Sequence, residues 1–363
     1  MTENYSLEID FLPVGEESKS GDAIAMRFGE YKNGNWLNPY IIIIDGGNSD
    51  SGDSLVRHVK EVYNSNTVDR VILTHPDGDH ASGLRNVIEN LKVGKIWMHR
   101  PWKYWPDLKD SIVDNRVTKK SFTEGLKESY QFAYDIEQLA NKKKIEIFQP
   151  KQGASFCDHG EDLLTVLGPS KDLYLRKVKE SEKTPDMGIS ESKTKTIPSK
   201  KTKLVNEDMS FATEHLANDD EVTTTAENDM SLVILLTVGG VKALFSGDAG
   251  TQGLFTAIKY SGGQNIILKD LTIFDVPHHG SRHNLSKGIL KYINAEFAII
   301  SCAVKGEPNH PSKIVTNSLL RRNINPYKTQ GIPLLFSHKV PNRYTNPAVP
   351  IPFYNRFEIT IDE

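Results

Sequence analysis

One segment, residues 71–80, constrains the fold and the chemistry of this chain more than any other. A β-branched strand pattern runs directly into a turn that carries His75, Asp77, Asp79 and His80 within six residues. Carboxylates held this close repel each other unless a cation lies between them. Imidazole and carboxylate groups bind Zn, Mn and Fe, and hydrolytic centres can hold two ions about 3.5–4 Å apart. The spacing therefore predicts a site for two divalent metal ions at the end of a strand.

Two later strand patterns end in the same types of side chain. The strand predicted at 242–245 is followed by Asp248 on a tight turn, and the strand predicted at 271–276 is followed by the pair His278 and His279. Single histidines or aspartates at strand ends are usually surface groups. Three strand ends that each supply metal-ligand side chains strengthen the prediction of a metal site.

Strand and helix patterns alternate along both halves of the chain. The β-branched run at 40–44 is typical of a strand buried on both faces, and residues 122–141 have the apolar spacing of one helix. Residues 170–227 are rich in Lys, Ser, Thr, Glu and Asp, so they bury too little apolar surface to offset their ordering entropy. The sequence predicts one α+β domain over 1–363, a sheet sandwich flanked by helices, with a polar, mainly flexible insertion at 170–227. A short helix near 171–182 is an alternative within that insertion.

The composition excludes several classes of protein. The 363 residues hold 44 Lys+Arg and 47 Asp+Glu, and this net charge of −3 argues against nucleic-acid binding through the overall field. The longest apolar runs are far shorter than the roughly 20 residues that span a bilayer, and the first 15 residues lack the basic flank of a signal peptide. Two cysteines are too few for a disulfide framework. We expect a cytoplasmic protein with no membrane association.

The motifs, taken in order, resemble the metallo-β-lactamase superfamily, and within it the hydrolase domain of the competence DNA-uptake channel proteins (ComEC-like). The resemblance covers roughly residues 7–312 and is carried by residues 11–15 with 21–23, 44–47, 74–80, 228–233, 245–248, 276–281 and 309–311. It implies a four-layer αββα sandwich with a two-metal centre at one edge.

Carried over motif by motif, the resemblance also implies a ligand set. The implied metal ligands are His75, Asp77, Asp79, His80, Asp248 and His278. His75 and Asp77 would hold one ion, and Asp79, His80 and His278 would hold the other. Asp248 would bridge both ions. His278 is favoured over His279 by the parity of the preceding strand, and His279 stays open.

The sequence departs from the superfamily pattern before residue 231, where a further ligand histidine is usual. Asn228 and Asp229 stand there instead, as in the competence-type branch, and they are candidate residues of the site edge. Carboxylate-rich coordination shifts the metal preference from zinc toward manganese, so the expected cofactors are two divalent ions, Zn or Mn.

The implied mechanism is hydrolysis by a metal-activated water. Asp79 would orient this water and take its proton, and His310 or His279 would act as hydrogen-bond donor or proton source. For His310 the alternative is a loop histidine beside a proline. The resemblance favours a phosphodiester substrate, and nucleic acid, DNA above all, is the expected partner.

A basic and aromatic segment at 97–105 is a weaker candidate for substrate binding. Arg100, Trp102, Lys103 and Trp105 interleave cations with aromatic rings, a combination on which single-stranded nucleic acid stacks. An equally good interpretation is a hydrophobic cap or a protein-binding rim over the sandwich. The Lys-rich residues 193–203 could bind phosphates, although a solvated segment is the better interpretation.

Two other functions stay open at this point. One is hydrolysis of a small phosphodiester, ester or lactam. The other is a metal-bound scaffold that binds a protein partner through the insertion 170–227 or the rim at 97–105. The ligand set, with both Asp79 and His80 in place, favours an enzyme.

Overall fold

Two seven-stranded sheets lie face to face in the computed structural model, with helices on both outer sides. The structure describes residues 2–15, 20–112, 114, 116–184, 202–208, 210–305 and 310–362, with the backbone alone for 202–208 and 356–362. The predicted α+β class and αββα sandwich are confirmed. Among the described residues, none of the helices is long and apolar enough to span a membrane.

The first sheet is built mainly from the N-terminal part of the chain. Its strands are Ser6–Phe11 (β1), Ala23–Lys32 (β2), Asn35–Gly46 (β3), Thr67–Ile72 (β4), Lys92–Trp97 (β5), Glu146–Phe148 (β6) and Leu334–His338 (β15). The spatial order is β15-β1-β2-β3-β4-β5-β6, and the pairs from β3 to β6 are parallel.

The second sheet follows in the C-terminal part. Its strands are Ser155–Asp158 (β7), Glu161–Gly168 (β8), Val233–Val238 (β10), Val241–Phe245 (β11), Leu271–Asp275 (β12), Ala295–Ile300 (β13) and Asn325–Lys328 (β14). The order is β14-β13-β12-β11-β10-β8-β7, with parallel pairs from β11 to β14. Thr202–Asp208 (β9) and Arg356–Asp362 (β16) form a separate antiparallel pair.

Helices cover both outer faces of the sandwich. They are Ser49–Arg57 (α1), Gly78–Ala81 (α2), Leu84–Asn90 (α3), Trp105–Leu108 (α4), Lys119–Ser129 (α5), Gln131–Lys143 (α6), Lys171–Glu180 (α7), Ala226–Asp229 (α8), Thr251–Gly263 (α9), Ile289–Tyr292 (α10) and Lys313–Leu320 (α11). A π-helical turn, His58–Val62, continues α1.

Strand β3 shows how the sequence produces this layering. Its run of isoleucines is buried on both faces: Ile41 and Ile43 pack under the helices, and Ile42 and Ile44 pack between the sheets. The alternation follows from the two-residue period of a strand. The core between the sheets also holds aromatic side chains such as Phe11 and Phe245, whose ring centroids lie 6.4 Å apart.

One expectation from the sequence is corrected, and another is met. The helix expected over 122–141 is two helices, α5 and α6, separated at Tyr130, whose backbone leaves the helical region. The short helix considered near 171–182 is present as α7 at the start of the insertion, and its Leu173, Tyr174 and Val178 are buried. Part of the expected flexible stretch, including most of the Lys-rich residues 193–203, lies outside the described residues.

The parallel strands direct their carboxyl ends to one edge of each sheet. Asp45 lies at the end of β3, and His75 and His80 follow β4. In the second sheet Asp248 follows β11 and His279 follows β12. Carboxyl ends of parallel strands are where α/β sheets bind ligands, and here the two edges meet.

Candidate metal centre

Two histidines after β4 are oriented by one buried carboxylate, that of Asp45. Nδ1 of His80 lies 2.8 Å from Asp45 Oδ2, to which it donates when the proton is on Nδ1. Thr74 donates both its backbone N–H and its hydroxyl to the same carboxylate, at 2.8 and 2.5 Å. The Thr74 hydroxyl oxygen in turn lies 3.1 Å from His75 Nδ1 and can accept its proton. When each imidazole is neutral with its proton on Nδ1, this arrangement leaves Nε2 with a lone pair, the state that binds metals.

Asp248 lies opposite these two nitrogen atoms. Its Oδ1 is 3.2 Å from His80 Nε2 and 3.8 Å from His279 Nε2, and its Oδ2 is 3.6 Å from His75 Nε2 and 3.8 Å from His278 Nε2. Four imidazoles therefore surround one carboxylate, mostly at separations longer than a hydrogen bond.

The turn after β12 has an unusual backbone. His278 and His279 both have positive φ angles, 49° and 55°, which is uncommon for residues other than glycine and clusters at functional sites. The turn after β11 is equally constrained: Gly247 has φ +48°, and a Cβ there would lie 2.6 Å from the Thr74 hydroxyl. The N–H of His278 donates to the Gly247 carbonyl at 3.1 Å. These contacts bring the two sheet edges together.

Several buried polar atoms of the cluster have no hydrogen-bond partner among the described residues. They are His75 Nε2, His80 Nε2, Asp248 Oδ1 and both ring nitrogens of His279. Leaving such groups buried and unsatisfied costs free energy, and a cation shared among them removes that cost. The residues present therefore fit a divalent metal ion.

Four groups of His and Asp side chains in the described part of the chain bring their ligand atoms within 4.8 Å of one another. They are His75, His80 and Asp248; Asp79, His80 and His279; Asp22, Asp45 and His80; and Asp22, Asp248 and His279. Every pair of groups shares a residue, so they describe one continuous polar pocket.

The electrostatics of this pocket are strongly coupled. Burial raises the pKa of Asp248, but the imidazoles of His80, His278, His279 and His75 outweigh it and hold this pKa well below its usual range. Burial lowers the pKa of His80, but the carboxylates of Asp248 and Asp45 outweigh it and raise this pKa well above its usual range.

Two further residues of the pocket, His279 and Asp22, are kept neutral more readily. The pKa of His279 is lowered well below its usual value by burial. Burial, with the nearby carboxylates of Asp248 and Asp45, raises the pKa of Asp22 to about 7 against the opposing effect of His80.

Asp77 and Asp79, both predicted as ligands, have different surroundings. Asp79 belongs to the group with His80 and His279. Asp77 belongs to none of the four groups, and its Oδ1 lies 2.5 Å from Lys183 Nζ. The structure thus brings Asp79 into the cluster and pairs Asp77 with a lysine from the turn after α7.

His278 and His279 have different surroundings in the cluster. His279 is buried and belongs to two of the four groups, whereas His278 belongs to none in the described residues. Nδ1 of His278 is 2.8 Å from Asn284 Oδ1 and 3.1 Å from Asn228 Nδ2, and its Nε2 faces Asp248. Both histidines therefore stay candidates, with His279 deeper in the pocket.

Of the two site-edge residues, Asn228 lies beside His278, whereas Asp229 has its partners elsewhere. Asn228 donates to Thr224 Oγ1 at 2.8 Å and contacts His278. Asp229 is turned away, with Lys177 Nζ at 3.1 Å and the Gly253 N–H at 3.1 Å. Asp229 thus anchors α7 to α9 and lies outside the four groups of possible ligands.

His310 lies at the rim of the cluster. Its ring centroid is 5.3 Å from that of His278 and 6.2 Å from that of His279. Burial, assisted by His278, lowers its pKa to about 4, so this imidazole is neutral at pH 7.

The segment at 97–105 does not form the open stacking surface considered above. Trp102 is 2% exposed, and its indole N–H donates to Glu137 at 2.8 Å. Arg100 and Lys103 converge on the same carboxylate, at 3.0 and 3.6 Å. Trp105 is half-buried against Phe122. Because its ring faces are covered, Trp102 is corrected from a substrate-binding residue to a packing residue.

Two residues of the pocket received no role from the sequence, Asp22 and Asp45. Each lies in a motif that was noted, Asp22 directly after Gly21 and Asp45 at the end of the isoleucine run. A Cβ on Gly21 would lie 2.2 Å from the Asp79 carbonyl oxygen, so glycine is needed for this close approach. The signal that could have found both aspartates is their position at strand boundaries.

Comparisons with known proteins cover part of the chain. Residues 40–139 match the family model of the metallo-β-lactamase superfamily. A metallo-β-lactamase-type structure from Thermotoga maritima has 15% identity and a TM-score of 0.33, covering 67% of this chain and 79% of its own. A diphosphatase of the PhnP family has 10% identity and a TM-score of 0.38, and the match covers 92% of this chain and 98% of the diphosphatase. A long-form RNase Z from yeast has 12% identity and a TM-score of 0.33, and the match covers 82% of this chain and 37% of the RNase Z.

The search of curated proteins gives no match. The matched region contains the end of β3, all of β4 and the segment from His75 to His80, and the two helix-covered sheets have the expected four layers. This arrangement is consistent with a metallo-β-lactamase sandwich.

Proposed function

We propose that this chain is a metal-dependent phosphodiesterase that cleaves DNA, related to the hydrolase domain of the competence DNA-uptake proteins. One observation carries the proposal. Buried imidazole and carboxylate atoms of His75, His80, Asp248 and His279 converge without hydrogen-bond partners among the described residues. Their chemistry fits Zn or Mn, and we infer that either ion binds there.

A bound divalent ion supplies Lewis acidity and lowers the pKa of a water molecule toward neutrality. The chain supplies the positions around it. Asp45 and Thr74 fix the rings of His75 and His80 so that Nε2 of each faces Asp248. Preorganised ligands of this kind reduce the reorganisation needed during the reaction.

In this proposal Asp79 orients the water at the edge of the cluster and takes its proton. Its carboxylate lies with His80 and His279 and is partly exposed, unlike the buried Asp248. His310 is neutral at pH 7 because its pKa is about 4, so its ring N–H can donate a hydrogen bond to a substrate oxygen. Asp79 and His310 keep in this proposal the roles expected for them from the sequence.

A second candidate is hydrolysis of a small phosphodiester. The burial of Trp102 and the engagement of Arg100 and Lys103 by Glu137 favour it, because they remove part of the surface expected for a polymer.

The test is turnover on single-stranded DNA, double-stranded DNA and bis(p-nitrophenyl) phosphate, after chelation and reloading with Mn or Zn. We expect the reloaded protein to cleave DNA and the double variant Asp79→Ala/His80→Ala to lose at least 100-fold in kcat/KM, within the range of single catalytic contributions of about 10²–10⁴. A matched control is His159→Ala/Asp270→Ala, an exposed histidine and aspartate outside the cluster.

The possible results separate the candidates. Turnover of the small ester without DNA cleavage would replace the DNA proposal with the second candidate. Equal inactivity of wild type and the double variant on all three substrates would overturn both, and would favour a metal-bound scaffold.

A further inference from the structure

Lys183 forms an ion pair with Asp77, one of the residues predicted from the sequence to bind metal. Its Nζ lies 2.5 Å from Asp77 Oδ1, and the two side chains are 42% and 26% exposed. Asp77 lies between His75 and Asp79 in sequence, so the ammonium group is close to the predicted ligand segment. A carboxylate paired with a lysine is less available to a cation.

The turn that carries Lys183 is held by buried polar contacts. The N–H of Lys183 donates to Ser181 Oγ at 3.0 Å, and Ser181, which is 1% exposed, contacts Glu227 and the Tyr130 hydroxyl. Lys183 Nζ also lies 5.9 Å from the centroid of the Tyr130 ring. The lysine is therefore positioned by the fold and is not a freely solvated side chain.

The Asp77 side of the cluster is poor in metal ligands. Asp77 and His278 belong to none of the four groups of possible ligands in the described residues, which leaves His75 and the shared Asp248 on this side. Asn228 offers only an amide that is hydrogen-bonded to Thr224. Protein metal sites commonly use at least three protein ligands. The region around His80, Asp248, His279 and Asp79 meets that number within the described residues.

We propose that the centre binds one divalent ion tightly and that Lys183 supplies the second positive charge, in place of the second ion expected from the sequence. An ammonium group has three donors, so Lys183 can keep its contact with Asp77 and bind a phosphate oxygen with another N–H. Lysine is a common point-charge ligand of phosphate. The proposal rests on the phosphodiesterase function and assigns Lys183 to substrate binding.

The first measurement is the number of Mn or Zn ions per chain, by elemental analysis after desalting and by titration calorimetry. We expect one ion for wild type, one for Lys183→Arg and two for Lys183→Ala, because the last variant frees Asp77. Lys171→Ala is the matched control: this lysine, on the adjoining helix, forms an exposed pair with Asp107 at 2.6 Å and should leave the count at one.

A second variant keeps the test valid if Lys183→Ala does not fold. Asp77→Asn should leave the count at one, since Asp77 is not a ligand of the tightly bound ion in this proposal. Two tightly bound ions in wild type, or loss of an ion in Asp77→Asn, would overturn it.

The third measurement is KM for bis(p-nitrophenyl) phosphate. Lys183→Ala should raise it roughly 10- to 100-fold, the size of a lost charge-assisted hydrogen bond, and Lys183→Arg should restore most of this loss. An unchanged KM would refute the phosphate contact. Because the ion count does not depend on turnover, an inactive protein with one ion would contradict the proposed function and leave the count of one ion supported.

Discussion

Replacing Asp45 with asparagine should weaken metal binding, although it leaves in place the four residues with unpartnered buried atoms, which are His75, His80, Asp248 and His279. Asp45 is fully buried and accepts from the Thr74 N–H at 2.8 Å, from the Thr74 hydroxyl at 2.5 Å and from His80 Nδ1 at 2.8 Å. Asparagine has the same shape, but one of its two terminal atoms is an NH₂ donor. In either orientation at least one donor then faces another donor.

The size of the effect follows from these contacts. If the NH₂ group faces His80, the imidazole is favoured in the tautomer with its proton on Nε2, the atom that faces Asp248, and this nitrogen then has no lone pair for a metal. Loss of an outer partner of a metal-binding histidine typically costs 10- to 100-fold in affinity. We therefore expect the Kd for Mn or Zn to rise by about 10- to 100-fold, equivalent to about 1.4–2.8 kcal/mol.

The assay is competition for the metal with a chelator of known affinity, with urea unfolding to verify that the variant is folded. Asp69→Asn is the control, because Asp69 also accepts a backbone N–H, that of Ile41 at 2.7 Å, yet lies outside the four groups. A folded Asp45→Asn protein with an unchanged Kd would show that the carboxylate does not set the tautomer of His80.

Three further predictions concern stability. Burial lowers the pKa of His99 to about 3, whereas an unfolded histidine has a pKa of about 6.5. Between these two values the unfolded chain binds the extra proton, so the free energy of unfolding falls as the pH drops. His99→Phe should remove up to about 1.4 kcal/mol of this fall per pH unit. Trp102→Phe should lower the unfolding free energy by about 1.5–3 kcal/mol, since Glu137 loses a donor. Gly83→Ala should lower it by at least about 1–3 kcal/mol, since its Cβ would lie 2.0 Å from a backbone oxygen, whereas Gly262→Ala has open space.

Urea unfolding at pH 7.5 and pH 5 measures all of these changes. Parallel pH profiles for wild type and His99→Phe would contradict the first prediction. A Trp102→Phe protein of full stability that has lost DNA binding would restore the stacking role of this residue. Equal effects at Gly83 and Gly262 would refute the close contact at the former.

The fold was predictable because its periodic signals are strong. The isoleucines of β3 alternate between two apolar environments, so each of them is buried whichever face of the sheet it lies on. The polar stretch after residue 170 gives a weaker signal, because α7 has few apolar residues, although Leu173, Tyr174 and Val178 lie on the side that packs. Average composition therefore underestimates a short amphipathic helix.

The candidate site was predictable only in part. The turn from His75 to His80 concentrates ligand types in a short segment, which is visible in sequence. The pairing of Asp77 with Lys183 joins residues 106 positions apart, and no local pattern reveals it. The burial of Trp102 is likewise set by Glu137 on a different helix, so composition alone could not separate stacking from packing.

The split origin of the pocket links metal binding to the completeness of folding. His75 and His80 follow a strand of the first sheet, and Asp248 and His279 follow strands of the second. A partly folded chain with one sheet formed would offer only half of this set and would release its ion. A ligand that binds only the assembled state at 100 times its Kd adds about 2.7 kcal/mol to stability. The ion would therefore act as a cross-link between the two sheets, and a metal-loaded chain would be one in which both sheets have formed and docked.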